Sequence, residues 1–212
     1  METESTATNR RPLDTRGRAW VKALTARLLR TRITPDQISI IGIGCAALGS
    51  LAVLAAPTYP LLYGLAAVGI QLRLLCNMLD GLVAVEGGRK SALGALYNEM
   101  PDRLEDSLLL TAFGAAAGLL WLGLLASLLA AVTAYVRALG GTLGFTQDFS
   151  GPMAKPHRMA ALTLTALLAG LEAHYLGSAL ALPCGMTLIA LGTAWTIVRR
   201  TQHLARQLEA NA

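Results

Sequence analysis

The sequence predicts an all-α integral membrane protein, with six transmembrane helices behind an N-terminal amphipathic helix that lies in the membrane interface. Three observations predict it. Hydrophobic residues make up 54% of the chain and charged residues 15%, with a mean hydropathy of +0.50, whereas a soluble domain carries about 25% charged residues. Apolar runs of spanning length recur along the chain. The Lys and Arg residues fall on alternate connections between those runs.

The elements follow in order. METESTATNRR is polar and lacks the apolar core and small-residue cleavage site of a signal peptide, so residues 1–15 read as a disordered tail. In GRAWVKALTARLLRTR, Trp20, Leu24 and Leu28 recur every fourth residue, with Lys22, Arg27 and Arg30 off that stripe. This pattern suits a helix resting on anionic lipid. One membrane domain, residues 16–200, then holds spans at about 38–56, 60–80, 94–122, 124–141, 158–176 and 179–198. The first is closed by Pro57. The run from Leu104 to Gly140 is nearly continuous in Leu, Ala and Gly. As a single helix it would extend roughly 55 Å, well beyond a hydrocarbon core of ~30 Å, so it is read as a hairpin turning near Trp121–Gly123. Residues 201–212 form a cytoplasmic tail.

Charge sets the orientation. Eight Lys and Arg residues precede the first span; Arg89 and Lys90 follow the second, Lys155 and Arg158 the fourth, and Arg199, Arg200 and Arg206 the sixth. The opposite turns, near Pro57–Tyr59, Trp121–Gly123 and His174–Ser178, hold none. The positive-inside rule puts both termini in the cytoplasm, in a multi-pass protein of the inner membrane. The net charge of +5 is thus a topology signal, and no nucleic-acid partner is expected. Cys45, Cys76 and Cys184 all sit in apolar runs and read as packing residues rather than a disulfide framework.

Ionisable residues inside spans are costly and mark function by default. Here they gather at one boundary. Arg73, Asn77 and Asp80 end the second span; Asn98, Asp102 and Asp106 begin the third; Arg137 lies near the end of the fourth. Asn77 and Asp80 are one helical turn apart, and Asn98, Asp102 and Asp106 form a second stripe, which Pro101 can kink. Two such helices joined by a short loop can turn their stripes together. Four oxygen-bearing side chains, Asn77, Asp80, Asn98 and Asp102, then meet at the membrane surface. Hard oxygen ligands suit one or two Mg2+ or Mn2+ ions that share their shell with substrate phosphates. Gly81, Ala84 and Gly94 leave room beside them for a bulky ligand.

The spacing resembles the CDP-alcohol phosphotransferase family, whose pattern is D-x2-D-G-x2-A-R-x8-G-x3-D-x3-D. This chain has Asn77, Asp80, Gly81, Ala84, Val85, Gly94, Asn98 and Asp102 in the same register. It departs at three positions, with Asn77 and Asn98 for aspartates and Val85 for the arginine; Arg89 is a candidate replacement for the latter. The opening ITPDQISI of the first span is also similar to the family's entry.

The resemblance implies a metal-dependent transfer of a substituted phosphate from a CDP-linked lipid, most often CDP-diacylglycerol, to an alcohol acceptor with release of CMP. It implies Asn77, Asp80, Asn98 and Asp102 as metal ligands, Asp102 also as the catalytic base, and Gly81, Ala84 and Gly94 as the nucleotide pocket. Arg137, Lys155 and Arg158 are the acceptor or phosphate candidates, and a homodimer is expected. Glu172, His174 and the loop residue His157 receive no role. A non-catalytic membrane scaffold related to the family explains the charge asymmetry but not the motif register. A small transporter fits less well, because transporters hold substrate near the midplane at broken helices, and here the polar cluster opens on one face.

Overall fold

The computed structural model describes residues 18–89 and 92–211, with the side chains of Ala95 and Asn98 outside the described set. The predicted tail over residues 1–15 also lies outside it. The described residues form seven α-helices: α1 Ala19–Leu29, α2 Pro35–Ala55, α3 Leu62–Glu86, α4 Gly94–Ala116, α5 Leu120–Thr142, α6 Lys155–Tyr175 and α7 Ala181–Ala210. Four of them, α2, α3, α5 and α7, are long and apolar enough to cross a membrane. The other two long helices, α4 and α6, are more charged and bury Glu105, Asp106, Arg158 and Glu172.

Local chemistry starts and stops these helices. At the head of α2, Thr34 Oγ1 accepts from the Gln37 N–H at 3.2 Å and Gln37 Oε1 accepts from the Thr34 N–H at 3.1 Å, with Pro35 in the first turn. This reciprocal cap satisfies two N–H groups that the helix leaves unpaired. The α4–α5 turn lies at Ala117–Leu119, with Gly118 at φ +71°, and Trp121 and Gly123 are already inside α5. The turn expected at Trp121–Gly123 is therefore displaced to the glycine that can take a left-handed conformation without strain. Helix α7 is capped from a distance. Glu172, near the end of α6, accepts from Ser178 Oγ at 2.6 Å, Leu180 N at 2.8 Å and Ala181 N at 2.7 Å. At 30 residues α7 is roughly 45 Å long, so its C-terminal turns project past any bilayer core.

The long helices close a ring. Helix α2 packs on α3 and α4, α3 on α6, α6 on α7, α7 on α5, and α5 on α4. Ile70, Leu109, Leu110, Phe113, Met159 and Ile189 fill the middle. Outside, large apolar residues such as Leu48, Leu51, Leu65, Leu128, Leu164 and Leu191 are exposed around the girth, the distribution of a protein whose solvent is lipid. Contacts between backbones come at small residues. A Cβ on Gly69 would stand 2.8 Å from Gly49 Cα, and one on Gly114 2.5 Å from Gly123 Cα. Helix α1 lies against the end of α3, with Leu24 and Leu28 packed on Ile38, Leu79 and Val83.

Candidate active site

The end of the bundle where α2 begins, α3 ends and both α4 and α6 begin collects most of the buried charge. Asp80, in the penultimate turn of α3, is buried. Its Oδ2 accepts from Ser39 Oγ at 2.8 Å and its Oδ1 from the Gly81 N–H at 2.5 Å. One turn earlier, Asn77 Nδ2 donates to Asp102 Oδ1 at 2.5 Å and to Glu105 Oε2 at 3.1 Å. Asn77 thus joins the two stripes read from the sequence. Lys155, the first residue of α6, ion-pairs with Asp102 Oδ1, and Arg103 lies 3.5 Å from Asp102 Oδ2. A Cβ at Gly81 would meet nothing within 4 Å, so there is open space beside Asp80. Ala84 is half-buried on the same helix, and Gly94 starts α4.

A second layer lies one turn deeper. Arg73 is fully buried; its Nε sits 2.6 Å from Glu105 Oε2 and its NH2 pairs with Asp106 Oδ1. Arg158, 2% exposed, reaches Asp106 Oδ2 at 2.5 Å and donates to the Met153 carbonyl at 3.3 Å. Buried charges persist only when paired, and this layer pairs two acids with two arginines across α3, α4 and α6.

The expected site residues thus divide. Asn77, Asp102 and Lys155 are in contact, while Asp80, at the same end of the bundle, is held by Ser39 and Gly81. Arg137 stands at the edge, 2.5 Å from Glu99 Oε1 with its guanidinium over the Phe149 ring at 5.1 Å. Arg158, expected to meet an acceptor or its phosphate, is turned inward and committed to Asp106. Arg89, the candidate replacement for the missing arginine, instead donates to the carbonyls of Leu29, Thr31 and Ile33 at 2.8–3.1 Å. It caps the end of α1, where carbonyls lack partners. The side chain of Asn98 lies outside the described residues. Glu105 escaped the sequence reading altogether. Its signal was its place three residues after Asp102, together with Arg73 four residues before Asn77, an unpaired intramembrane cation that required an acid opposite.

Outside the spans, Asp148 in the α5–α6 connection accepts from the Ser150 N–H at 2.8 Å and contacts His203 Nδ1 at 3.2 Å. Burial works against its charge. Hydrogen bonds from Ser150 and His203, with Arg200 nearby, outweigh that and hold the carboxyl below its ordinary range.

Among the described residues no group of three or more Asp, Glu, His or Cys side chains converges in a metal-binding arrangement. The donors present are the carboxylates of Asp80 and Asp102 and the amide oxygen of Asn77, whose Nδ2 serves Asp102 and Glu105. Two carboxylates and an amide suit a Mg2+ or Mn2+ that completes its shell from a diphosphate. The ammonium of Lys155 on Asp102 indicates a position that favours a cation.

No family model matches the chain. The fold is nevertheless that of the CDP-alcohol phosphotransferases, and the sequence carries the same likeness. Over 93 residues, 44% of this chain, it is 34% identical to the phosphatidylinositol phosphate synthase of Mycolicibacterium smegmatis; the match spans 37% of that relative's length. The Mycobacterium tuberculosis phosphatidylinositol phosphate synthase, solved in complex with manganese and citrate, superposes with a TM-score of 0.69 at 25% identity, covering 86% of this chain and 87% of that one. The same protein solved with CDP-DAG bound gives 0.68 at 24% identity, covering 86% and 92%.

Proposed function

We propose that this chain transfers a phosphatidyl group from CDP-diacylglycerol to a hydroxyl acceptor and releases CMP. The observation that supports the reading is the hydrogen bond from Asn77 to Asp102, which joins α3 to α4 at the end of the bundle where Asp80 is buried beside the open space at Gly81. Asn77, Asp80 and Asp102, with Asn98 by register, would hold Mg2+ or Mn2+, which when bound neutralises charge developing on the diphosphate. Two carboxylates rather than four favour a single ion that leans on the diphosphate.

The remaining chemistry belongs to the chain. Gly81, Ala84 and Gly94 leave the backbone open to the cytidine nucleotide. The acceptor oxygen bonds to the lipid-side phosphorus, the bond from that phosphorus to the CMP oxygen breaks, and the acceptor's proton passes to Asp102. Lys155 releases Asp102 and turns to the incoming phosphate, and Arg137 offers the next cation at the rim. The names of the relatives make an inositol phosphate the first acceptor to test. The same reading includes six spans, the site and both termini on the cytoplasmic side of the inner membrane, and a homodimer.

The test is CMP release from labelled CDP-diacylglycerol by detergent-purified protein with Mg2+ or Mn2+, across a set of alcohols. Asp102→Ala is expected to abolish release while the protein stays folded. If wild type releases no CMP with any acceptor, the reading fails. The alternative is then a non-catalytic relative, favoured by the closure of Lys155 on Asp102.

A further inference from the structure

Asn77 stands where the family pattern has an acid, and the geometry points to a reason: the amide nitrogen of Asn77 is a clamp between Asp102 and Glu105, so the residue at position 77 is dictated by the glutamate at 105. We propose that Asn77 is a positioning residue matched to Glu105, and that an aspartate at position 77 is incompatible with this site. The inference deepens the transferase reading and rests on it for its catalytic consequence, but not for its structural one.

The argument is one of donors and acceptors. Asn77 Nδ2 lies 2.5 Å from Asp102 Oδ1 and 3.1 Å from Glu105 Oε2. Ionised carboxylates only accept hydrogen bonds, so the end of the amide that faces both must be the NH2 group, whose two protons serve one carboxylate each. Glu105 is fully buried. Arg73 Nε stands 2.6 Å from its Oε2. Its Oε1 has no hydrogen-bond partner among the described residues, so the clamp carries much of its placement. It also lies 2.6 Å from where a Cβ on Gly42 would stand, so it occupies space that only a glycine there leaves open. Replacing the amide with a carboxylate removes both protons and sets three acids against one another, a repulsion that low-dielectric surroundings enlarge. The amide therefore uses both ends. Its oxygen remains available to a cation, and its nitrogen fixes Asp102, the proposed base. An aspartate reproduces only the first.

A cycle of N77D, E105Q and N77D/E105Q tests this, with two readouts on the full chain: melting temperature in detergent and the kcat and KM of CMP release. N77D is expected to lower the melting temperature by several degrees and kcat by about tenfold, with a smaller change in KM for the CDP-lipid. N77D/E105Q is expected to recover part of both, because a neutral glutamine at position 105 leaves Asp102 as the one acid facing the carboxylate at position 77. N77D that fails to accumulate while N77D/E105Q accumulates is the same rescue. The inference is overturned if N77D melts and turns over like wild type, if the double variant is no better than N77D, or if neither accumulates. If wild type proves inactive the transferase reading falls, and the melting temperatures still decide the clamp.

Discussion

Asp106 offers the sharpest structural test. It lies between two guanidiniums, with Arg158 at 2.5 Å from Oδ2 and Arg73 on Oδ1, and all three side chains are nearly inaccessible. Asp106→Asn preserves shape and removes the charge. The two arginines do not suffer equally. Arg73 keeps Glu105 at 2.6 Å, whereas Arg158 keeps only the Met153 carbonyl at 3.3 Å. Leaving one buried charge uncompensated costs about 3–5 kcal/mol. For a chain of this length 1 kcal/mol shifts the melting temperature by roughly 2–4 °C, so the expected loss is about 6–20 °C. The assay is thermal unfolding in detergent followed by a thiol-reactive dye. Cys45 and Cys76 are half-buried and free, and the exposed Cys184 is replaced by serine to silence its background. Asp106→Asn combined with Arg158→Met removes both charges and is expected to restore at least half of the loss, since Arg73 keeps Glu105 and no buried guanidinium is then left without a counter-charge. A shift for Asp106→Asn below about 3 °C, or a double variant no better than the single, refutes the claim that this pair ties α6 to α4.

Two further outcomes follow from the connections. Glu172→Ala removes the acceptor for three donors at the head of α7 and is expected to lower the melting temperature in the same assay, with Glu172→Gln losing less; equal melting of wild type and Glu172→Ala contradicts the cap. Asp148→Asn is expected to destabilise at neutral pH. The Asp148 carboxyl is held below its ordinary range in the folded protein, so its contribution is complete above the unfolded value of about 3.9 and is lost as pH falls through the lower folded value. Melting curves from pH 7 to pH 3 should therefore show the gap between wild type and variant closing at the acid end, and a gap independent of pH contradicts the assignment.

How far the fold and site were legible depends on what each residue had to say alone. Asp80 and Asp102 stand out in the sequence because helical spacing and a gapped pattern are local properties of the chain. The head of α2 was marked by the Thr-Pro-Asp-Gln run of its reciprocal cap. The α4–α5 turn was misplaced because a stretch of Leu, Ala and Gly offers no polar punctuation, and only the backbone conformation at Gly118 selects the point. Arg158 was misread for a different reason. An arginine near a membrane boundary can face headgroups, substrate or an internal acid, and periodicity names the face of its own helix but not the neighbour across it. Glu105 was hidden by the same limit, since its partners Arg73 and Asn77 lie on α3. The close approach of Gly49 to Gly69 was likewise invisible, because it needs the crossing point of two helices.

The two layers of charge assign cost and mobility to different depths. In the inner layer Glu105 and Asp106 face Arg73 and Arg158, closed from solvent and balanced in charge. Such a layer adds little net stability over apolar packing but punishes any rearrangement that separates its members. It therefore fixes the relative positions of α3, α4 and α6. The outer layer, Asn77, Asp102, Arg103 and Lys155, is only partly buried, so exchanging Lys155 for another cation on Asp102 carries a smaller desolvation cost. One helical turn, from Asp102 to Asp106, thus separates the groups that must not move from those that a ligand would displace in the proposed reaction.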